Sequence, residues 1–184
     1  MNRNKKIVVY SVIIIALVFS YLRLIDRYIT PEKAFYAAER GNNYGPSYDI
    51  PVKYSLDDDR YIMIGKHDYG ISFNEVRRTM LFLWETGDEP SYPGNIPFDD
   101  MEDNLYVTMV AYGNYDKSFA WGYSKNEDVK TIRCNIEGSD NKYITGEVSE
   151  SGIFFIPIGG AFEYSIKNFE GLDVNGNVIE EFEF

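Results

Sequence analysis

From Ile7 to Leu22 the chain reads IVVYSVIIIALVFSYL, 16 residues without a charge. A helix apolar on every face leaves no polar side for a soluble protein to turn to water. At about 1.5 Å per residue the run covers roughly 24 Å, or roughly 28 Å when extended past Arg23 to Ile25, against about 30 Å of bilayer hydrocarbon. The pattern therefore predicts a transmembrane helix within an N-terminal anchor, 1–27, with membrane lipid around residues 7–25. Tyr10, Tyr21 and Tyr28 suit the interfaces, and Arg23 lies close enough to the end to reach the headgroups. A cleaved signal peptide is the competing reading, with Val18 and Ser20 as its small pair. Phe19 and Tyr21 flank that pair, which favours a retained signal anchor.

Past the anchor the period changes. Thr30-Pro31-Glu32 combines an N-cap, a proline at the first helical position and an acid at the positive end of the dipole. It predicts a helix through Arg40 with Ala34, Phe35 and Ala38 on its apolar side and Gly41 as the left-handed residue that stops it. Strand-like segments follow at Ile50–Ser55, Tyr61–Lys66 and Gly70–Phe73. The run Val76–Glu85 contains MLFLW and is assigned to a strand because Phe82 and Trp84 favour one. Residues 87–104 carry three Pro, two Gly, six acids and no base, the composition of an acidic linker.

Beyond it, Leu105, Val107, Met109 and Ala111 alternate with Tyr106, Thr108, Val110 and Tyr112. Ile132, Cys134 and Ile136 form a second alternating set, Phe162, Tyr164 and Ile166 a third, and Val178, Phe182 and Phe184 share one parity. Gly113-Asn114, Gly138, Gly152 and Gly159-Gly160 punctuate these runs, and Asn175-Gly176 signals a two-residue hairpin. About seven strands in this span read as an antiparallel sandwich or barrel. The expected fold is mainly β (α+β): one transmembrane helix, one short helix, an antiparallel sheet and a β-sandwich-like C-terminal region. The segments are 1–27 anchor, 28–86 helix plus sheet, 87–104 linker and 105–184 sandwich.

Charge separates the same parts. Arg3, Lys5, Lys6 and Arg23 are the only charged residues in 1–25, leaving 14 basic against 29 acidic residues in 26–184, a net −15. A basic flank directly before an apolar run is the geometry of an export signal, so the acidic part is expected outside the cytoplasm. The surplus of acid argues against nucleic acid as a partner. One Cys and one His in 184 residues exclude a disulfide framework, a cysteine-rich zinc site and His-pair metal motifs.

Chemistry-bearing residues are few. His67, before Gly70, reads as an exposed loop histidine, with a general base assisted by Asp68 as the functional alternative. Cys134 sits between Ile132 and Ile136 and reads as core. Asp57-Asp58-Asp59 and Asp99–Asp103 offer hard oxygens suited to Ca²⁺, against a reading as solvated loops. Asp173–Asn177 superficially resembles the opening of a calcium loop but reads as a hairpin. No residue is assigned as catalytic, cofactor-binding or metal-ligating, and no cofactor is expected.

The order of anchor, Thr30-Pro-Glu-Lys-Ala34, Val110-Ala-Tyr-Gly113 and Leu172-Asp-Val-Asn-Gly-Asn-Val-Ile179 resembles small uncharacterised membrane-anchored or secreted proteins of Gram-positive bacteria, bacillus-like ones among them. The resemblance implies a compartment and carries no catalytic residue. The expected function is a non-enzymatic interaction or accessory module at the cell surface, with an envelope or protein partner whose identity the sequence leaves open. The alternative is an envelope-polymer hydrolase using a carboxylate pair.

Overall fold

The computed structural model describes residues 3–80, 82–87, 94–112, 117–137, 143–159 and 165–183. Helix α1, Arg3–Leu24, is unbroken, and its side chains from Ile7 to Tyr21 are exposed. Its stretch Arg3–Leu22 has a mean hydropathy of 1.9, with none of its hydrophobic window buried in the protein. At 22 residues, roughly 33 Å, this helix is long and apolar enough to cross a membrane.

Helix α2, Pro31–Gly41, starts on its cap, with Thr30 Oγ1 accepting from the Lys33 N–H at 3.3 Å. Its end differs from expectation, because Gly41 is still helical. Asn43 takes the left-handed position with φ 61°, and the N–H groups of Asn43 and Tyr44 close on the carbonyls of Arg40 and Glu39 at 3.2 and 3.1 Å. Asparagine tolerates that conformation, and the two bonds satisfy carbonyls the helix end would otherwise leave bare.

The first sheet has antiparallel order β1 (Asp49–Ser55), β2 (Arg60–His67), β3 (Gly70–Thr79), β4 (Leu83–Thr86), with β5 (Asn95–Pro97) paired to the start of β3. The strand at Gly70 is thus longer than its sequence signal, and Val76–Glu85 is not one element. Strand β3 continues to Thr79, Met80 turns with φ 48°, and β4 begins at Leu83. Met80 and Phe82 stand exposed at this tip. No Gly, Pro, Asn or Asp marks the turn, which is why an apolar run concealed it. The acidic stretch contributes β5 and the 3₁₀ turn Phe98–Asp100, and it buries Ile96 and Met101.

A second sheet has order β10 (Ile153–Gly159), β7 (Lys117–Ser124), β6 (Leu105–Tyr112), and a third has order β12 (Val178–Phe182), β11 (Ile166–Leu172), β8 (Thr131–Ile136), β9 (Tyr143–Glu147). These seven strands form the sandwich expected for 105–184. The middle sheet is shared. On one side Phe119, Trp121 and Ile153 pack with Ile62, Ile64, Ile71 and Phe73 of the first sheet. On the other, Leu105, Val107, Ala120, Phe154 and Ile156 pack with Ile132, Cys134 and Phe169 of the third. Helix α2 covers the far face of the first sheet through Ala34 and Phe35, against Met63 and Val76. The body is four layers: helix, sheet, sheet, sheet.

Strand β7 shows how one strand serves two cores. Phe119, Trp121 and Tyr123 face the first sheet, while Ala120 and Gly122 face the third. A Cβ on Gly122 would lie 1.9 Å from the Tyr106 carbonyl oxygen and 2.8 Å from the Phe154 ring, so only glycine fits between them.

The Asn175-Gly176 hairpin exists with a different turn. Asp173 N–H bonds the Asn177 carbonyl at 2.9 Å, Gly176 N–H bonds the Asp173 carbonyl at 3.1 Å, and Gly176 has φ 83° while Asn175 has no positive φ. This is a three-residue loop with a left-handed glycine, rather than a type I′ turn, which would need positive φ at both Asn175 and Gly176. Phe182 packs on the sandwich core and Val178 is exposed, whereas Phe162, Tyr164 and Phe184 lie outside the described residues.

Candidate functional site

The residues flagged in the sequence scatter. Asp57 pairs with Arg60 at 2.7 Å and Asp59 with Arg78 at 2.9 Å, so this turn is spent on ion pairs. Asp99 and Asp100 lie exposed on the 3₁₀ turn. The Asp173 carboxylate accepts from Asn177 Nδ2 at 2.9 Å and from the N–H groups of Asn175 and Asn177 at 2.8 Å each. These bonds, the Asn177 side chain first, hold the Asp173 carboxyl below the usual range. Among the described residues no three His, Cys, Asp or Glu side chains converge as a metal site would require. Cys134 is fully buried, and burial pushes its thiol up to about 11.

His67 is not an exposed loop histidine. It is 2% exposed. The β2–β3 turn folds back so that the Tyr69 N–H reaches Nδ1 at 3.3 Å, while Nε2 meets Asn95 Oδ1 at 2.8 Å. With Nδ1 accepting, Nε2 carries the proton donated to Asn95, and no ring nitrogen is left for Asp68. The Tyr44 ring stacks on the imidazole with centroids 5.9 Å apart. Strand β5, from the stretch read as a linker, supplies Asn95 and so completes this burial.

Under the C-terminal half of α2 lies a polar cluster that the apolar pattern did not announce. Glu39 is fully buried. Its carboxylate accepts from Ser47 N–H at 2.9 Å, Ser47 Oγ at 2.6 Å and Ser72 Oγ at 2.6 Å. Glu39 falls four residues after Phe35, on the stripe that already holds Ala34, which was the available signal. Gly65 lets the loop approach, since a Cβ there would meet Ser47 Oγ at 2.3 Å. Tyr44, the first residue past the helix stop, donates to the Gly94 carbonyl at 2.9 Å and lies 3.3 Å from Asn74 Oδ1. Burial, with a contribution from the charge on Glu39, pushes the Tyr44 phenol up, so it stays a donor.

Beside this cluster, α2, the middle of β3, the end of β4 and the segment after α1 line a cleft of about 420 Å³. Ala37, Ala38 and Gly41 form its helical wall, and their small side chains leave it open. Asn74 and Glu75 of β3, Thr86 of β4 and Asp26 also line it. Asn74 is only 8% exposed and its Nδ2 has no hydrogen-bond partner. Comparison with family models, curated proteins and solved structures finds no match to this chain. The chemistry of the cleft is therefore read from its own residues. A buried amide end that finds no partner in the fold costs about 1–3 kcal/mol. Asp26 gives the cleft a negative charge suited to a donor on the same ligand.

Proposed function

We propose that the protein is a single-pass membrane protein of the cell surface, with its acidic body outside the cytoplasm acting as a non-enzymatic binding module. Arg3, Lys5 and Lys6 before the apolar helix support that orientation. The chain passes from Leu24 to Tyr28, which already pairs with Trp84, so the body is held against the bilayer with almost no tether. The observation that carries the function is the unpartnered Asn74 amide in a cleft of about 420 Å³, within the size range of small-ligand sites. The ligand that fits is a polar segment offering an acceptor to Asn74 and a donor to Asp26, as an envelope peptide or amide-bearing polymer does. A photoreactive amino acid at Gly41, whose Cβ position faces open space, tests this in native membranes. A discrete adduct that Asn74→Ala removes is expected. An adduct indifferent to Asn74→Ala overturns the assignment.

A further inference from the structure

A second groove, about 450 Å³, lies where α1 meets the body. Phe19 and Leu22 from the last turns of α1 form one wall, and Tyr36 with Lys33 and Arg40 of α2 form the other, beside Arg27. Lys33, Tyr36 and Arg40 are spaced three and four residues apart and therefore share one face of α2. Among the described residues no carboxylate lines the groove. That is unusual in a body with 29 acids and 14 bases. Asp26, next to Arg27, accepts from Tyr28 Oη at 3.4 Å and lines the other cleft. Glu32 is paired with Lys53 at 2.8 Å, Glu39 is turned inward to Ser47 and Ser72, and buried Glu85 holds Arg27 and Arg77. Lys33 and Arg40 are exposed and have no ion pair among the described residues.

We infer that this groove binds an anionic phospholipid of the leaflet in which α1 ends, with the headgroup phosphate between Lys33 and Arg40 and the upper acyl chain on Phe19, Leu22 and Tyr36. The inference rests on α1 spanning the bilayer. A helix of 22 residues is about as long as the hydrocarbon core is thick, which puts Phe19 and Leu22 at its edge and the two cations at headgroup level. The arginine fork and the lysine ammonium both suit phosphate oxygens, and Tyr36 suits the interface. The rest of the body, strongly acidic, repels the same surface, so attraction confined to this face also sets how the body stands on the membrane.

The full chain is inserted into nanodiscs of phosphatidylcholine with and without phosphatidylglycerol, and the lipids retained on the protein are counted by native mass spectrometry. Preferential retention of phosphatidylglycerol is expected. Each cation removed should lower it roughly fivefold, so Lys33→Gln with Arg40→Gln reduces it more than tenfold while Arg40→Lys keeps most of it. Both positions are exposed, so an unchanged melting temperature separates lost binding from lost folding. Insertion with equal retention of the two lipids, or an unchanged preference in the double variant, overturns the lipid site and leaves the anchor standing. Failure of the wild-type chain to float with phosphatidylcholine vesicles overturns the anchor and the site together.

Discussion

Replacing Glu39 by Ala should be among the most damaging single changes at the α2–sheet interface, although sequence alone places this residue on the flank of a short helix. The carboxylate accepts three hydrogen bonds inside the protein. Bonds to a charged acceptor contribute about 1.5 kcal/mol each at the low end, so roughly 4–5 kcal/mol is lost on truncation. Ser47 Oγ and Ser72 Oγ lie 3.3 Å apart and can turn to each other, which returns about 1 kcal/mol, and the buried charge no longer has to be desolvated. A net loss of about 3 kcal/mol remains, about half of it from the orphaned Ser47 N–H. Glu39→Gln should cost about 2 kcal/mol, since its amide nitrogen presents a donor to donors. Ser72→Ala, which removes one bond of the three, should cost about 1.5 kcal/mol. The Glu39→Ala, Ser72→Ala double variant should fall short of additivity by about 0.5 kcal/mol, because both changes remove the same bond while the double variant also loses the Ser47–Ser72 contact. Urea unfolding of the full chain in neutral detergent, followed by tryptophan emission, reads these values. A Glu39→Ala protein within about 0.5 kcal/mol of wild type, or strict additivity with Ser72→Ala, would refute the picture of a buried carboxylate clamping the loop to the sheet.

Other outcomes follow from the same coordinates. Gly122→Ala drives a Cβ into the Tyr106 carbonyl, so the chain should lose about 3 kcal/mol or more, or fail to give a cooperative melt; a melting temperature near wild type would contradict the close approach. Burial alone would raise the Glu170 carboxyl, but Asn135 and Arg133 outweigh it and hold it below its ordinary 4.5. Such a group stabilises the fold fully above its unfolded value and loses that contribution as pH falls through the lower folded value, so melting curves from pH 5 downward should decline less steeply in Glu170→Gln than in wild type. Cys134, with its thiol raised to about 11 and no exposed surface, should resist alkylation at pH 8 in the folded protein and react once denatured; rapid native labelling would place it elsewhere.

How far local signals carry is visible element by element. The N-cap of α2 and the strand at Ile50–Ser55 follow their local patterns to within a residue or two. The parity of Ile132, Cys134 and Ile136 also holds, because each sits on a strand buried on one side. Strands β7 and β10 have no such signature. Strand β7 is covered on both faces, so SFAWGYS carries no polar alternation, and in IFFIPIG the exposed positions are Pro157 and Gly159 rather than charged or polar side chains. The turn at Met80 was hidden for the opposite reason, since exposed apolar side chains continued the run across it. At the cleft, Ala37 and Ala38 read as helix, Gly41 as its stop, and Asn74 falls between the expected strands Gly70–Phe73 and Val76–Glu85. Nothing in their spacing says that one amide nitrogen would be left without a partner.

By itself the sequence determined what depends on neighbours along the chain: the apolar span and its basic flank, the capped helix, the glycine-marked turns, the β-rich class and the segregation of charge. Only the tertiary structure decided what depends on residues far apart. It made the second sheet a shared layer by stacking the first on its other face, and drew β5 out of the acidic stretch to pair with β3. It buried His67 and Glu39 by bringing Asn95, Ser47 and Ser72 to them. It also set the cationic face of α2 beside the end of α1. Local pattern records which side of an element is apolar, whereas the energy of a buried polar group is set by the partner that arrives from elsewhere in the chain, and periodicity carries no information about that partner.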